Sequence, residues 1–168
     1  DPFALRRHGL GVIRMLIERR LPLSLTQTIA LASQQFPQGP NAGALLADFL
    51  YERLRVSLRD QGNSADQTEA VLALRPDVLS DIADRAAAVR SFALMPQAAS
   101  LAAANKRIAN ILNKAQRTAG PQLDPKLLRE PAEAALAQVL AQVGPRAAAE
   151  FARGDYTQSL QTLASLKV

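Results

Sequence analysis

Apolar side chains recur every three or four positions along most of this chain, the spacing of helices that each bury one face. Asp1-Pro2 reads as an N-cap followed by proline at the first helical position. The helix it opens is expected to run to about Arg20, burying Leu5, Val12, Ile13, Leu16 and Ile17, with Gly9 allowing a neighbour to approach closely; Leu21-Pro22 ends it. Ser24 caps a second helix that should stop near Phe36. The turn-rich stretch from Pro37 to Gly43 is the best internal boundary, giving segments 1–40 and 41–168. A long third helix follows, from about Ala44 to Asp60, closed by Gly62. Arg53 falls among Leu46, Phe49, Leu50 and Ser57 on its core-facing side, where a cation needs a partner or must extend along its stem to water. A structural ion pair or carbonyl contact is the expected role, with a ligand contact as the alternative, while Arg55 and Arg59 point away from that face and are placed to extend a basic surface.

Ser64 with Gln67 three residues on forms a capping box for the next helix, which ends before Arg75-Pro76. Asp77 is expected to cap the following helix, to about Leu94, and Pro96 then restarts the chain. Ala119-Gly-Pro121 forms a loop, and Asp124-Pro125 and Glu130-Pro131 open two further helices, the second running to Gly144-Pro145. Gly154 and Asp155 separate the last two. The expected fold is all-α, a multi-helix bundle of about nine or ten helices without a credible strand, with the third helix and the one after Pro96 in the same C-terminal unit.

The helix after Pro96 carries the most distinctive pattern. Between Asp84 and Asp124 there is no acidic side chain, yet Lys106, Arg107, Lys114 and Arg117 fall within one short segment. Wound at about 100° per residue, Leu101, Ala104, Ile108, Ile111, Leu112 and Ala115 share an arc of roughly 100° that can bury. Lys106, Arg107, Asn110, Asn113, Lys114 and Arg117 occupy the opposite side within about 120°. A face that only kept a helix soluble would mix both signs, because acid–base pairs at i,i+4 add support. One sign of charge together with amide groups suits a polyanion, most plausibly nucleic acid; the competing reading is a solvated face.

Composition narrows the chemistry. The chain has 168 residues, 48% hydrophobic and 21% charged, with a formal net charge of +5, enough for a real core in one domain or two small ones. Aromatics are only 4%, which argues against a stacking platform for single-stranded nucleic acid. With no Cys, disulfides, thiolate catalysis and cysteine-ligated zinc are excluded, and His8 is the only imidazole. No catalytic residue and no metal ligand set is therefore expected. Asp81 with Asp84, and Asp66 with Glu69, read as solvated carboxylates or partners of a helix dipole. No apolar run reaches membrane-spanning length and no signal peptide precedes the first helix. Beginning at Asp1 in mid-pattern, the chain reads as a piece cut from a longer protein.

Four blocks carry a resemblance: Asp1-Pro-Phe-Ala-Leu-Arg-Arg7; Leu54-Arg-Val56 with Arg59-Asp-Gln-Gly62; Val71-Leu-Ala-Leu-Arg75; and Ala103-Ala-Asn-Lys-Arg-Ile108 with Asn110-Ile-Leu112. In collinear order these resemble the beta subunit of bacterial tetrameric glycyl-tRNA synthetase. The resemblance implies that segment 1–40 is the end of a helical region related to HD hydrolases. It implies that segment 41–168 is an all-helical anticodon-binding domain like that of arginyl-tRNA synthetase, truncated at its C-terminus. It further implies a cytoplasmic protein that holds tRNA(Gly) while a separate alpha subunit, using ATP and Mg, carries the aminoacylation site. The matching motif covers Asn105, Lys106, Arg107, Asn110 and Lys114; Asn113 and Arg117 come from the helical wheel alone. The chain has no His-Asp dipeptide, so no hydrolase-like metal site carries over. Two other readings stand beside this one: a structural scaffold that packs against other subunits, and an enzyme with a site inside this chain, which would need paired carboxylates or His8 beside a nucleophile.

Overall fold

The computed structural model describes residues 2–36, 42–114 and 123–166. Among them are eight α-helices and no strand: α1 (Pro2–Glu18), α2 (Leu25–Ser33), α3 (Gly43–Asp60), α4 (Ala65–Leu72), α5 (Ile82–Ala93), α6 (Ala98–Lys114), α7 (Pro131–Ala152) and α8 (Tyr156–Ala164). A short 3₁₀ turn at Pro125–Leu127 is capped by the Asp124 carboxylate, which accepts from the Lys126 N–H at 2.9 Å. The segment opened by Asp124-Pro125 is thus a single turn rather than a helix.

The chain forms two compact units, one up to Arg90 and one from Ser91 onward. In the first, α3 packs on α1, α2 and α4. Its residues Leu50, Leu54 and Leu58, spaced four apart on one face, meet Ile13 and Leu16 of α1, Leu25 and Ile29 of α2, Val71 and Leu72 of α4, and Leu79, Ile82 and Ala86. This shared core groups α3 with α1 and α2, whereas the linker reading had grouped it with the helix after Pro96, which falls in the second unit. Residues 37–41 of that linker lie outside the described residues. On α1, Ile13 and Leu16 are buried and Ile17 is half-buried, but Leu5 and Val12 are exposed, so the buried stripe is narrower than the periodicity suggested.

The helix ends follow local chemistry. The Ser24 hydroxyl accepts from the Gln27 N–H at 3.0 Å, and Ser64 and Gln67 form the reciprocal capping box at 3.2 and 2.9 Å. Gly62, with φ of +88°, takes the left-handed turn after α3 at no steric cost. The buried Asn63 next to it donates to the Leu58 carbonyl at 2.7 Å and accepts from Arg90 at 2.7 Å.

Asp77 does not cap α5. Its carboxylate accepts from the Thr26 N–H at 2.8 Å and the Thr26 hydroxyl at 2.7 Å, and its carbonyl accepts from the Leu25 N–H at 2.8 Å. It satisfies the first turn of α2, from far along the chain, beside an isolated antiparallel bridge between Ser24 and Val78. Hydrogen bonds from Ser24 and from the Thr26 hydroxyl and N–H hold the Asp77 carboxyl below its usual range.

In the second unit α7 packs on α8. Helix α7 continues through Gly144-Pro145 to Ala152, past the expected stop. Its later half carries Ala147 and Glu150, both buried against α8. The Ser159 hydroxyl donates to the Ala147 carbonyl at 2.8 Å, and the Thr162 hydroxyl donates to Glu150 Oε2 at 2.7 Å. This anchoring outweighs the missing proline N–H.

Candidate nucleic-acid interface

Helix α6 contains five of the six polar residues assigned to the wet face, and Lys106, Arg107, Asn110, Asn113 and Lys114 are all exposed. Arg117 lies outside the described residues. Among the described residues no ion pair involves Lys106, Arg107 or Lys114, so their charge is not spent on a neighbour. Lys106 and Lys114 are two turns apart, and Arg107, Asn110 and Lys114 recur at i, i+3, i+7, placing them along one side.

The opposite arc is not buried as expected. Ile108 is 56% and Ile111 57% exposed, Leu101, Ala104 and Leu112 are half-buried, and Ala98 is the helix's buried residue. The strong amphipathic pattern of α6 therefore describes a face available for packing rather than one already packed within this unit. Ala115, the last member of the arc, lies outside the described residues.

The arginines of α3 divide sharply. Arg55 pairs with Glu69 at 2.7 Å and with Glu52, and Arg59 reaches Glu69 at 3.8 Å. Glu69 is held below the usual carboxylate range, chiefly by the hydrogen bond from Arg55. These two arginines are thus tied to carboxylates rather than extending a free basic surface. Arg53 departs from expectation in the other direction: among the described residues it has no carboxylate or carbonyl partner. Its guanidinium lies 5.8 Å from the Phe49 ring centroid, and its Nε–H is buried without an acceptor.

Arg53 lines a cleft of about 360 Å³ between α1 and α3, together with Arg6, Arg7, Arg14, Ser57 and Asp60. Sequence reasoning singled out Arg53 but not the cleft. The available signal was Arg7-Leu10-Arg14 at i, i+3, i+7 on α1, facing Arg53, Ser57 and Asp60 at i, i+4, i+7 on α3. Elsewhere, Arg75 pairs with Asp48 at 2.7 Å and lies 4.5 Å from the Tyr51 ring centroid, while Arg20 reaches Asp84 at 2.8 Å and Arg85 reaches Asp81 at 3.0 Å. The carboxylates Asp81 and Asp84 thus serve in structural pairs. Among the described residues no three His, Asp or Glu side chains gather as a possible metal site, and no helix is long and apolar enough to cross a membrane.

Residues 1–73 of this all-helical chain match the aminoacyl-tRNA synthetase family described as the glycyl-tRNA synthetase beta subunit. Over 99% of its length the chain is homologous to the C-terminal part of glycine–tRNA ligase beta subunits. It is 55% identical to that of Janthinobacterium sp. (strain Marseille), 56% to that of Leptothrix cholodnii and 50% to that of Thiobacillus denitrificans. In each case it spans 24% of the relative's length.

Proposed function

We propose that this chain is the tRNA-binding, anticodon-recognition part of a glycine–tRNA ligase beta subunit, with no catalytic residue of its own, and that α6 presents the tRNA-contacting face. In this reading the separate alpha subunit, using ATP and Mg, aminoacylates tRNA(Gly) in the cytoplasm. The chain supplies the end of an HD-like region followed by the anticodon-binding-like helices. The observation that carries it is the exposed set Lys106, Arg107 and Lys114, free of ion pairs among the described residues, on a helix with no acid. Phosphate contacts by these cations supply affinity, while Asn110 reaches base edges or ribose hydroxyls of unpaired loop nucleotides. Arg117 extends the same face in the wheel.

The test is a salt titration of tRNA(Gly) binding by the intact beta subunit, with a scrambled-anticodon control. Replacing any one of Lys106, Arg107 or Lys114 by Ala should lower affinity for all tRNAs alike and flatten the log-affinity against log-salt slope by roughly 0.7–0.9 per contact. Asn110→Ala should act more on the cognate tRNA than on the control. A triple Lys106/Arg107/Lys114→Ala variant that binds like the parent at every salt concentration overturns the assignment.

One observation favours a scaffold role for the first helices. Leu5, Met15 and Leu31 are each more than half exposed, at 55%, 59% and 62%, apolar side chains that packing against the rest of the beta subunit or the alpha subunit would cover. The two roles are compatible, since they fall on different helices.

A further inference from the structure

The arginine cleft between α1 and α3 belongs to the first unit. Arg6, Arg7, Arg14 and Arg53 line it, and among the described residues Asp60 is the one carboxylate on its wall. The guanidinium groups of Arg7, Arg14 and Arg53, gathered around one concavity, repel each other, and an anion within reach relieves that repulsion. Among the described residues Arg7, Arg14 and Arg53 form no ion pair, although Arg55 and Arg59 on the same helix as Arg53 both do. The placement of Arg53 is also fixed independently of any counter-ion. Its guanidinium lies against Phe49 and its Nε–H is buried without an acceptor, so packing holds the group where it lines the cleft. Phe49 in turn sits where Gly9 leaves room for it.

We propose that this cleft seats a phosphate group of an RNA backbone, held by the guanidinium forks of Arg7, Arg14 and Arg53. Guanidinium matches phosphate in a planar, two-point geometry that a lysine cannot reproduce. Among the described residues no aromatic side chain lines the cleft; the Ser57 hydroxyl supplies a neutral polar contact. At about 360 Å³ the space has room for a phosphate and its attached sugar. The choice of RNA as the source of the phosphate rests on the tRNA reading above, whereas the affinity for an oxyanion rests on the cleft's own arginines.

Arginine footprinting of the intact beta subunit with phenylglyoxal, read residue by residue by mass spectrometry, tests this. With tRNA(Gly) present at low salt, modification of Arg7 and Arg14 should slow several-fold, and inorganic phosphate at the same phosphate concentration should leave it unchanged. The double Arg7→Ala/Arg14→Ala variant should flatten the salt slope of tRNA binding by roughly 0.7–0.9, the value of the one phosphate they hold. Equal protection by inorganic phosphate would make the cleft a small-oxyanion site and overturn the RNA assignment. No protection by either probe, with an unchanged slope, would overturn the proposal altogether. The footprint repeated on the Lys106/Arg107/Lys114→Ala variant separates the two sites: continued protection of Arg7 and Arg14 supports the cleft even if the α6 reading has failed.

Discussion

A β-carbon on Gly9 would stand 2.8 Å from Cε1 of Phe49, closer than real carbon contacts allow. The absence of a side chain at Gly9 lets α1 and α3 approach at this point, with Phe49 wedged between the glycine and Arg53. Gly11, two residues on in the same helix, has nothing within 4 Å of its would-be β-carbon. Two glycines in one helix thus make opposite forecasts. Gly11→Ala should stabilise by about 0.5–1 kcal/mol through helix propensity alone. Gly9→Ala should lose that gain and more to overpacking, which typically costs about 1–3 kcal/mol, for a net destabilisation on the order of 1 kcal/mol. Urea denaturation of the two variants beside the parent decides it, and two stabilised variants would show that Phe49 moves aside freely.

Removing the Asp77 side chain should fray the start of α2. Asp77→Ala deletes the acceptor for the Thr26 N–H and hydroxyl, a capping loss of about 0.5–2 kcal/mol. The carboxyl's pKa is lowered on folding by bonds from Ser24 and Thr26, so its contribution is present above the unfolded value of about 3.9 and is lost as pH falls through the lower folded value. The stability difference between parent and variant should therefore be full at neutral pH and close below about pH 4. A difference that grows on acidification would contradict the cap.

The α7–α8 pair makes a second pH-linked forecast. Glu150 is held below the usual carboxylate range by the Thr162 hydroxyl and then by Arg146. Thr162→Val removes the first of these, so the folded pKa should rise toward the unfolded value and the unit should melt earlier at neutral pH. Parent and variant should converge as pH falls through the folded pKa of Glu150, where the carboxylate that Thr162 stabilises is gone. Thermal melts at a series of pH values read both effects.

Exposure makes α6 tolerant on its apolar side. Ile108→Ser and Ile111→Ser should each change the stability of this chain by less than about 0.5 kcal/mol, the usual range for surface substitutions. Leu54→Ala, at a position 1% exposed at the centre of the first core, should cost about 2–5 kcal/mol. A large loss at Ile111 would mean that the arc is packed in solution.

Local chemistry was legible in the sequence and distant partnership was not. Ser24, the Ser64–Gln67 box and Gly62 each act on neighbours a few residues away, and each end fell where its side chain directs. Asp77 sits ahead of a helical stretch and resembles that helix's cap, but its partner Thr26 is 51 residues away and only tertiary packing brings them together. The same limit governs the arginines of α3. The wheel gives the side of Arg53 and Arg55, but Glu69 and Phe49 decide which of them is neutralised. Periodicity marked the apolar arc of α6 correctly as apolar, though not as covered, because it carries no information about what lies opposite. The basic face needed no partner to be visible, and its described residues, Lys106, Arg107, Asn110, Asn113 and Lys114, emerge exposed.

Pro145 gives α7 an internal seam. Lacking an amide hydrogen, it cannot bond the carbonyl one turn earlier. Beyond the seam, Ala147 and Glu150 are fastened to Ser159 and Thr162 of α8; before it, Leu136, Val139 and Leu140 are all exposed. One continuous helix is therefore two thermodynamic segments. In amide hydrogen exchange the turns from Ala132 to Val143 should open at low free energy, while those after Arg146 exchange only when α8 lets go, so the protection profile should step at the proline rather than decline smoothly toward the helix ends.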